Sequence, residues 1–269
     1  MTATALSEAT ALFEETAHGY RATGFARGPW DPGAAHGGPV AALVGHVFER
    51  HGDTEAFSIS RVTLELLRPV PLGELRVDVV ERRPGRKVQL LDLHMHADGK
   101  EVATARALRI RTKEIELPEV ARASAAAAGP NPPEAGWAPD LFEVGWEAFH
   151  THGVEIRMVE GNFNDPGPAT AWVRLRVPVV ADSEPSPLER ALAAADFGNG
   201  ISSLLSFEDY LFINPDLSVY LSRYPDGEWI CLDSSSTITP QGSGVTQSAL
   251  WDEQGPIGRA TQGLFVDQR

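Results

Sequence analysis

The chain is poor in residues that mark several classes of protein. Among its 269 residues there is a single cysteine, Cys231. One thiol excludes an intrachain disulfide framework and fits a reducing compartment, so a cytoplasmic location is expected. Long apolar runs are absent. None approaches the ~18–20 residues of a membrane span, and no membrane partner is expected. The first residues, Met1-Thr-Ala-Thr-Ala-Leu-Ser-Glu8, lack the basic and then apolar segments of a secretion signal. Positive charge is also scarce: 23 Lys and Arg against 37 Asp and Glu give a net charge of −14. That argues against nucleic acid as a partner, because phosphate-backbone binding needs clustered cations. The densest basic cluster, Arg82, Arg83, Arg86 and Lys87, surrounds Pro84-Gly85 and reads as a solvated hairpin.

Several chemistries lack their residues. Ser234-Ser235-Ser236 has no G-x-S-x-G elbow around it, which speaks against a serine hydrolase. Gly242-Ser-Gly244 lacks the Lys and helix pattern of a phosphate loop. His94 and His96 share one face of a strand but have no evident third ligand, so no metal site is expected. No cofactor is expected either.

What the chain does contain is a long internal repeat. Pro71-Leu-Gly73-Glu74-Leu75 recurs 154 positions later as Pro225-Asp-Gly227-Glu228-Trp229, and Val102–Ile110 matches Ile257–Val266 at an offset of 155. Solenoid units repeat every ~20–50 residues, so this is a duplicated domain. The copies differ in polarity at three positions: Asp196, Asn214 and Gln262 stand where the first copy has Ala42, Ser60 and Ala107. The asymmetry points to one active site, carried mainly by the second copy.

Within the first copy an extended segment near Tyr20–Phe25 precedes His36-Gly37-Gly38-Pro39, which opens a helix. Val40, Leu43, Val44, Val47 and Phe48 form one apolar stripe, Pro39 suits the first turn and Gly52 ends it. Alternating runs then predict strands near 56–68, 73–82, 87–97 and 101–112, with hairpin signals at Pro84-Gly85 and Asp98-Gly99. One helix followed by an antiparallel meander is an α+β layout. Residues 116–139, with Ala123–Ala128 and Gly129-Pro-Asn-Pro-Pro, have a linker composition. They separate an N-terminal unit, 1–115, from a C-terminal unit, 140–269. The second copy predicts strands near 153–159 and 169–177, a helix over about 187–205 with Asp196 inside it, and strands near 210–222, 228–238, 243–251 and 257–266.

This order, with His36-Gly37-Gly38 at the first helix, Leu67-Arg68-Pro69 after the next strand, then Asp196, Phe212-Ile-Asn214-Pro and Gly258-Arg-Ala-Thr-Gln262-Gly, resembles the type II acyl-CoA thioesterase family. The resemblance implies a tandem (double) hotdog fold, each half a central helix wrapped by an antiparallel sheet. It also implies acyl-CoA as the substrate partner, hydrolysed by water to free acid and CoA. In that family an Asp, a Thr or Asn and a Gln act together, and they map onto Asp196, Asn214 and Gln262; Asn214 departs from the more familiar Thr. A carboxylate in an apolar groove can serve as a general base, and two neutral amides can position water without adding charge. Gly37 and Gly38, bare of side chains at a helix N-terminus, are expected to admit the thioester carbonyl, with His36 beside them as a helix-opening residue rather than a base. Hotdog proteins work at the interface of two copies, so the first helix N-terminus is expected to face Asp196. Trp30, Phe48, Phe207 and Tyr220 are candidates to line the acyl tunnel. Further association of copies through exposed sheets is an expectation as well. The alternative is a non-catalytic acyl-thioester binding protein with the same fold. A hydratase ranks lower, because no His follows Asp196 in its helix.

Overall fold

The computed structural model describes residues 10–52, 56–119, 121 and 129–269. Among these residues thirteen strands build one antiparallel sheet around two packed helices. In the first copy these are β1 (Phe13–Thr16), β2 (Gly19–Ala22), β3 (Phe57–Leu66), β4 (Glu74–Arg83), β5 (Val88–Ala97) and β6 (Lys100–Arg111). In the second they are β7 (Val154–Glu160), β8 (Ala169–Leu175), β9 (Tyr210–Ile213), β10 (Asp216–Leu221), β11 (Ile230–Ile238), β12 (Ser243–Asp252) and β13 (Gly255–Gln268). The spatial order is β1-β2-β4-β5-β6-β3-β10-β13-β12-β11-β8-β7, with β9 paired to β13. The two copies therefore meet at β3 and β10. There Thr63 lies opposite Ser218, their hydroxyls 3.3 Å apart.

Helix α1 (Gly37–Glu49) begins at His36, whose Nδ1 accepts the Gly38 N–H, and buries Val40, Leu43, Val44 and Phe48. Helix α2 (Pro187–Ala195) begins at Ser186 with a reciprocal cap to Glu189. The two run antiparallel and very close. A Cβ on Gly38 would stand 2.7 Å from the Ala193 carbonyl oxygen, and one on Gly45 2.8 Å from Leu192 Cδ1. At the far end of the pair the buried Glu189 carboxylate meets His46 Nδ1 at 2.8 Å and Arg50 at 3.3 Å, while Ser186 bonds the Glu49 carboxylate. Burial raises the Glu49 carboxyl above its ordinary range.

The four strands expected after α1 are present within a residue or two of their predicted ends. Four features differ. The second helix does not run on to Leu205: it stops at Asp196 and resumes as a short turn, α3 (Gly198–Ile201). Gly198 and Gly200 weaken the helix there. The Cβ direction of Gly198 is filled by Ser248 Oγ at 2.6 Å, so the turn lies directly on the sheet. The strand expected over 210–222 is broken at Asn214-Pro215 into β9 and β10, where Pro215 has no N–H for a ladder. The equivalent Ser60 sits where the β3–β6 register shifts, so both copies are irregular at this point. Near the N-terminus the single expected segment is a hairpin, β1 and β2, followed by a helical turn at Gly24–Ala26. Finally, of the expected linker, Ala123–Ala128 falls outside the described residues, whereas 129–139 packs on the second copy. Trp172 Nε1 donates to the Asn131 carbonyl at 2.7 Å, and Trp137 pairs with Met158 of the edge strand β7.

Candidate active site

Asp196 caps the C-terminus of α2, a place where its own helix disfavours negative charge. The antiparallel packing sets that carboxylate against the first turn of α1, whose positive dipole end favours it. The residue is 7% exposed. Oδ1 accepts from Asn214 Nδ2 at 2.6 Å and from Gln262 Nε2 at 3.2 Å; Oδ2 lies 2.9 Å from His36 Nδ1. Gln262, buried on β13, also donates to the Asp196 carbonyl at 3.2 Å, and its Oε1 accepts the Asn199 N–H at 3.2 Å. Both ends of that amide are thereby fixed. Beneath it, buried hydroxyls fill the inner face: Ser234 with Ser248, Ser236 with Thr246, and Ser202 with Ser236, at 2.7–2.9 Å.

His36 ties this group to α1. Its Nδ1 faces both the Gly38 N–H, at 3.0 Å, and Asp196 Oδ2. One imidazole nitrogen cannot serve both as an acceptor while Asp196 is ionised. With a proton on Nδ1 it donates to Asp196 and leaves the Gly38 N–H free; without one its single lone pair accepts the Gly38 N–H. The ring itself is held between Phe149 and Phe197, centroids 5.3 and 5.1 Å away.

Two cavities meet at His36, Asp196 and Asn214. The larger, about 390 Å³, runs between the loop Gly28–Asp31, the segment Leu66–Val70 and the stretch Leu211–Pro215. The smaller, about 60 Å³, is walled by Trp30, Phe142, Phe163, Phe207 and Phe212, with His150 among them. Trp30 and Phe207 both pack on Phe142, at 5.5 and 5.7 Å. His150 is 4% exposed, its Nε2 is 3.3 Å from the Phe142 carbonyl oxygen, and burial lowers its pKa to about 4.

The structure thus brings together Asp196, Asn214, Gln262 and His36 from four separate stretches of chain. Gly37 and Gly38 lie beside them, but their bare faces do not leave room for a substrate carbonyl as expected. A Cβ on Gly37 would stand 2.7 and 2.8 Å from the two Asp196 carboxylate oxygens, and that on Gly38 would strike Ala193. Of the tunnel candidates, Trp30 and Phe207 line cavities. Phe48 is sealed in the core, and Tyr220 is 54% exposed, with the Arg61 guanidinium over its ring. Arg82 of the basic cluster is engaged by Asp92 at 2.6 Å, and His94 pairs with Glu101 at 2.6 Å. Sequence reasoning missed His150, which sits in a short turn, Phe149–Gly153, with no periodicity to flag it. For His36 the available signal was its place before a Gly-Gly-Pro helix start.

A family model for the acyl-CoA thioesterase C-terminal domain matches residues 123–266, and one for the N-terminal domain matches residues 26–110. The chain belongs to the acyl-CoA thioesterase family. Among curated proteins no sequence matches it. Of solved structures, a Thermobifida fusca protein assigned to thioesterase II superposes with a TM-score of 0.73 at 16% identity, covering 96% of each chain. A hot dog fold protein from Alicyclobacillus acidocaldarius gives 0.69 at 17% identity over 89% of each. The acyl-CoA thioesterase II TesB2 of Mycobacterium marinum gives 0.63 at 15% identity, over 88% of this chain and 92% of its own. At such identities the likeness carries the hotdog fold. No helix among the described residues is long and apolar enough to cross a membrane.

Proposed function

We propose that the Asp196 site hydrolyses acyl-CoA thioesters to free acid and CoA. The frame is read as two hotdog halves joined through β3 and β10, with 129–139 belonging to the C-terminal half. The observation that carries the reading is a buried carboxylate, held by two amides and an imidazole, at the junction of two cavities. In the ionised state His36 Nδ1–H donates to Oδ2, and Asn214 and Gln262 donate to Oδ1. These donors hold the carboxylate rigid and ready to orient a water.

In the reaction the water oxygen attacks the thioester carbonyl carbon while its proton passes to Asp196. The developing oxyanion is favoured by the positive dipole end of α1, whose first residue, Gly37, lines the larger cavity. Collapse breaks the C–S bond, and the proton returns to the sulfur to give CoA–SH. No covalent nucleophile is needed. The glycines serve by letting α1 reach Asp196. The test is free-thiol release by the purified protein from a panel of acyl-CoAs, short to long. Saturable release is expected from at least one member; binding without release from any would replace this reading with that of an acyl-thioester binding protein.

A further inference from the structure

We infer that the smaller cavity receives the acyl end of the thioester and selects compact acyl groups that terminate in a hydrogen-bond donor, accepted by Nδ1 of His150. The inference rests on the thioester-hydrolase reading of Asp196 and adds to it the class of acyl group. Three observations support it. The first is size. About 60 Å³ holds only a few heavy atoms. The larger cavity, about 390 Å³ and bordered by Arg68, has the room a pantetheine arm requires. The walls of the small cavity also pack on one another, Phe142 on Phe163 at 6.1 Å and Phe207 on Phe212 at 5.5 Å, so a longer chain must part these rings to enter further.

The second observation is an unpartnered atom. His150 lines this cavity, is 96% buried by its 4% exposure, and spends Nε2 on the Phe142 carbonyl. Its Nδ1 is buried with no hydrogen-bond partner among the described residues. A donor on Nε2 leaves Nδ1 as a bare acceptor, and the ring is neutral at pH 7. A buried acceptor without a partner is costly, and a ligand that supplies the donor removes that cost. The third is surroundings. The polar groups Asp196, Asn214, Asn199 and His36 also line the cavity, but Asp196 and Asn214 are bonded to each other. The walls Trp30, Phe142, Phe163, Phe207 and Phe212 are aromatic, so Nδ1 of His150 is the lining acceptor that lacks a partner among the described residues. A short ω-hydroxyacyl group has the size and chemistry the cavity accepts.

The decisive comparison uses two substrates of equal size, 3-hydroxypropionyl-CoA and butyryl-CoA, which differ only in a terminal hydroxyl against a methyl. The expected result is a preference in kcat/KM for the hydroxyl compound of about tenfold or more. His150→Phe brings that ratio to one or below, whatever it does to the individual rates. His150→Asn keeps an acceptor at the δ position and retains part of the preference. The non-hydrolysable thioethers S-(3-hydroxypropyl)-CoA and S-butyl-CoA, compared by calorimetry on the wild-type protein, report the same selectivity without catalysis. A preference for butyryl-CoA, an unchanged ratio in His150→Phe, or faster turnover of octanoyl-CoA than of either short substrate overturns the inference. Absence of thiol release from every acyl-CoA overturns the hydrolase reading instead, and the thioether pair then decides this one.

Discussion

Gly37 and Asp196 share one small volume: a methyl group on Gly37 would lie 2.7 and 2.8 Å from the two oxygens of the Asp196 carboxylate. The first residue of α1 is therefore bare because the last residue of the α2 turn reaches into the space its side chain would take. Gly37→Ala must push the carboxylate off its donors. The expected cost is about 1–3 kcal/mol of stability and roughly a hundredfold of activity. Gly45→Ala is the control. Its Cβ meets the tip of Leu192 and touches Leu188 at ordinary contact distance, and Ala gains about 1 kcal/mol of helix propensity, so stability should stay within about 1 kcal/mol of wild type. Thermal unfolding and thiol release measured on both variants check the contrast.

Asn214 is expected to act by donating to Asp196 Oδ1 at 2.6 Å. Asn214→Ala removes one charge-assisted bond and should lower kcat/KM about tenfold to a hundredfold. Asn214→Asp sets two carboxylates at hydrogen-bond distance, so one of the pair holds a proton to higher pH. Its loss should exceed that of the Ala variant and should be greatest at alkaline pH. A pH–rate profile of the three proteins reads this directly; equal profiles for Asn214→Asp and Asn214→Ala would show that Asn214 does not face an ionised Asp196.

Much of this arrangement was legible in the sequence, and the reasons it stopped are physical. The Val40–Phe48 stripe and the alternation along Val77–Val79 and Leu91–Met95 report burial of a whole face, which periodicity reads well. What failed was local and tertiary. The apolar run Ala193-Ala194-Ala195 through Phe197 continues past Asp196, so nothing in the pattern marks the helix end; the sheet hydroxyls beneath Gly198 do that. Asn214-Pro215 was a turn signal inside an otherwise regular strand, and the break won. The approach of His36 to Asp196 depends on two helices crossing over glycines, and no local spacing encodes it.

Away from the site, Asp92 offers a test of the electrostatics. Its carboxylate bridges Arg82 at 2.6 Å and Arg106 at 2.6 and 3.0 Å, and the Arg106 hydrogen bonds hold its pKa down at about 2. A depressed carboxylate stabilises the fold above its unfolded pKa of about 4 and loses that contribution as pH falls toward 2. Because both arginines are more than half exposed, the effect is discounted to on the order of 1–2 kcal/mol. Asp92→Asn should be less stable than wild type by that amount at pH 7, with the difference closing between about pH 4 and 2. Urea titrations across this range check it.

The central claim is that the Asp196 carboxylate activates the attacking water, and the isosteric Asp196→Asn variant tests it most directly. Asn keeps the shape and an acceptor for Asn214 and Gln262 but cannot take up a proton at neutral pH. Thiol release from the best acyl-CoA of the panel, measured on both proteins at equal substrate with thermal unfolding alongside, should fall by about 10²–10⁴ in the variant while the fold persists. A folded Asp196→Asn protein that turns over within a few-fold of wild type would contradict the account.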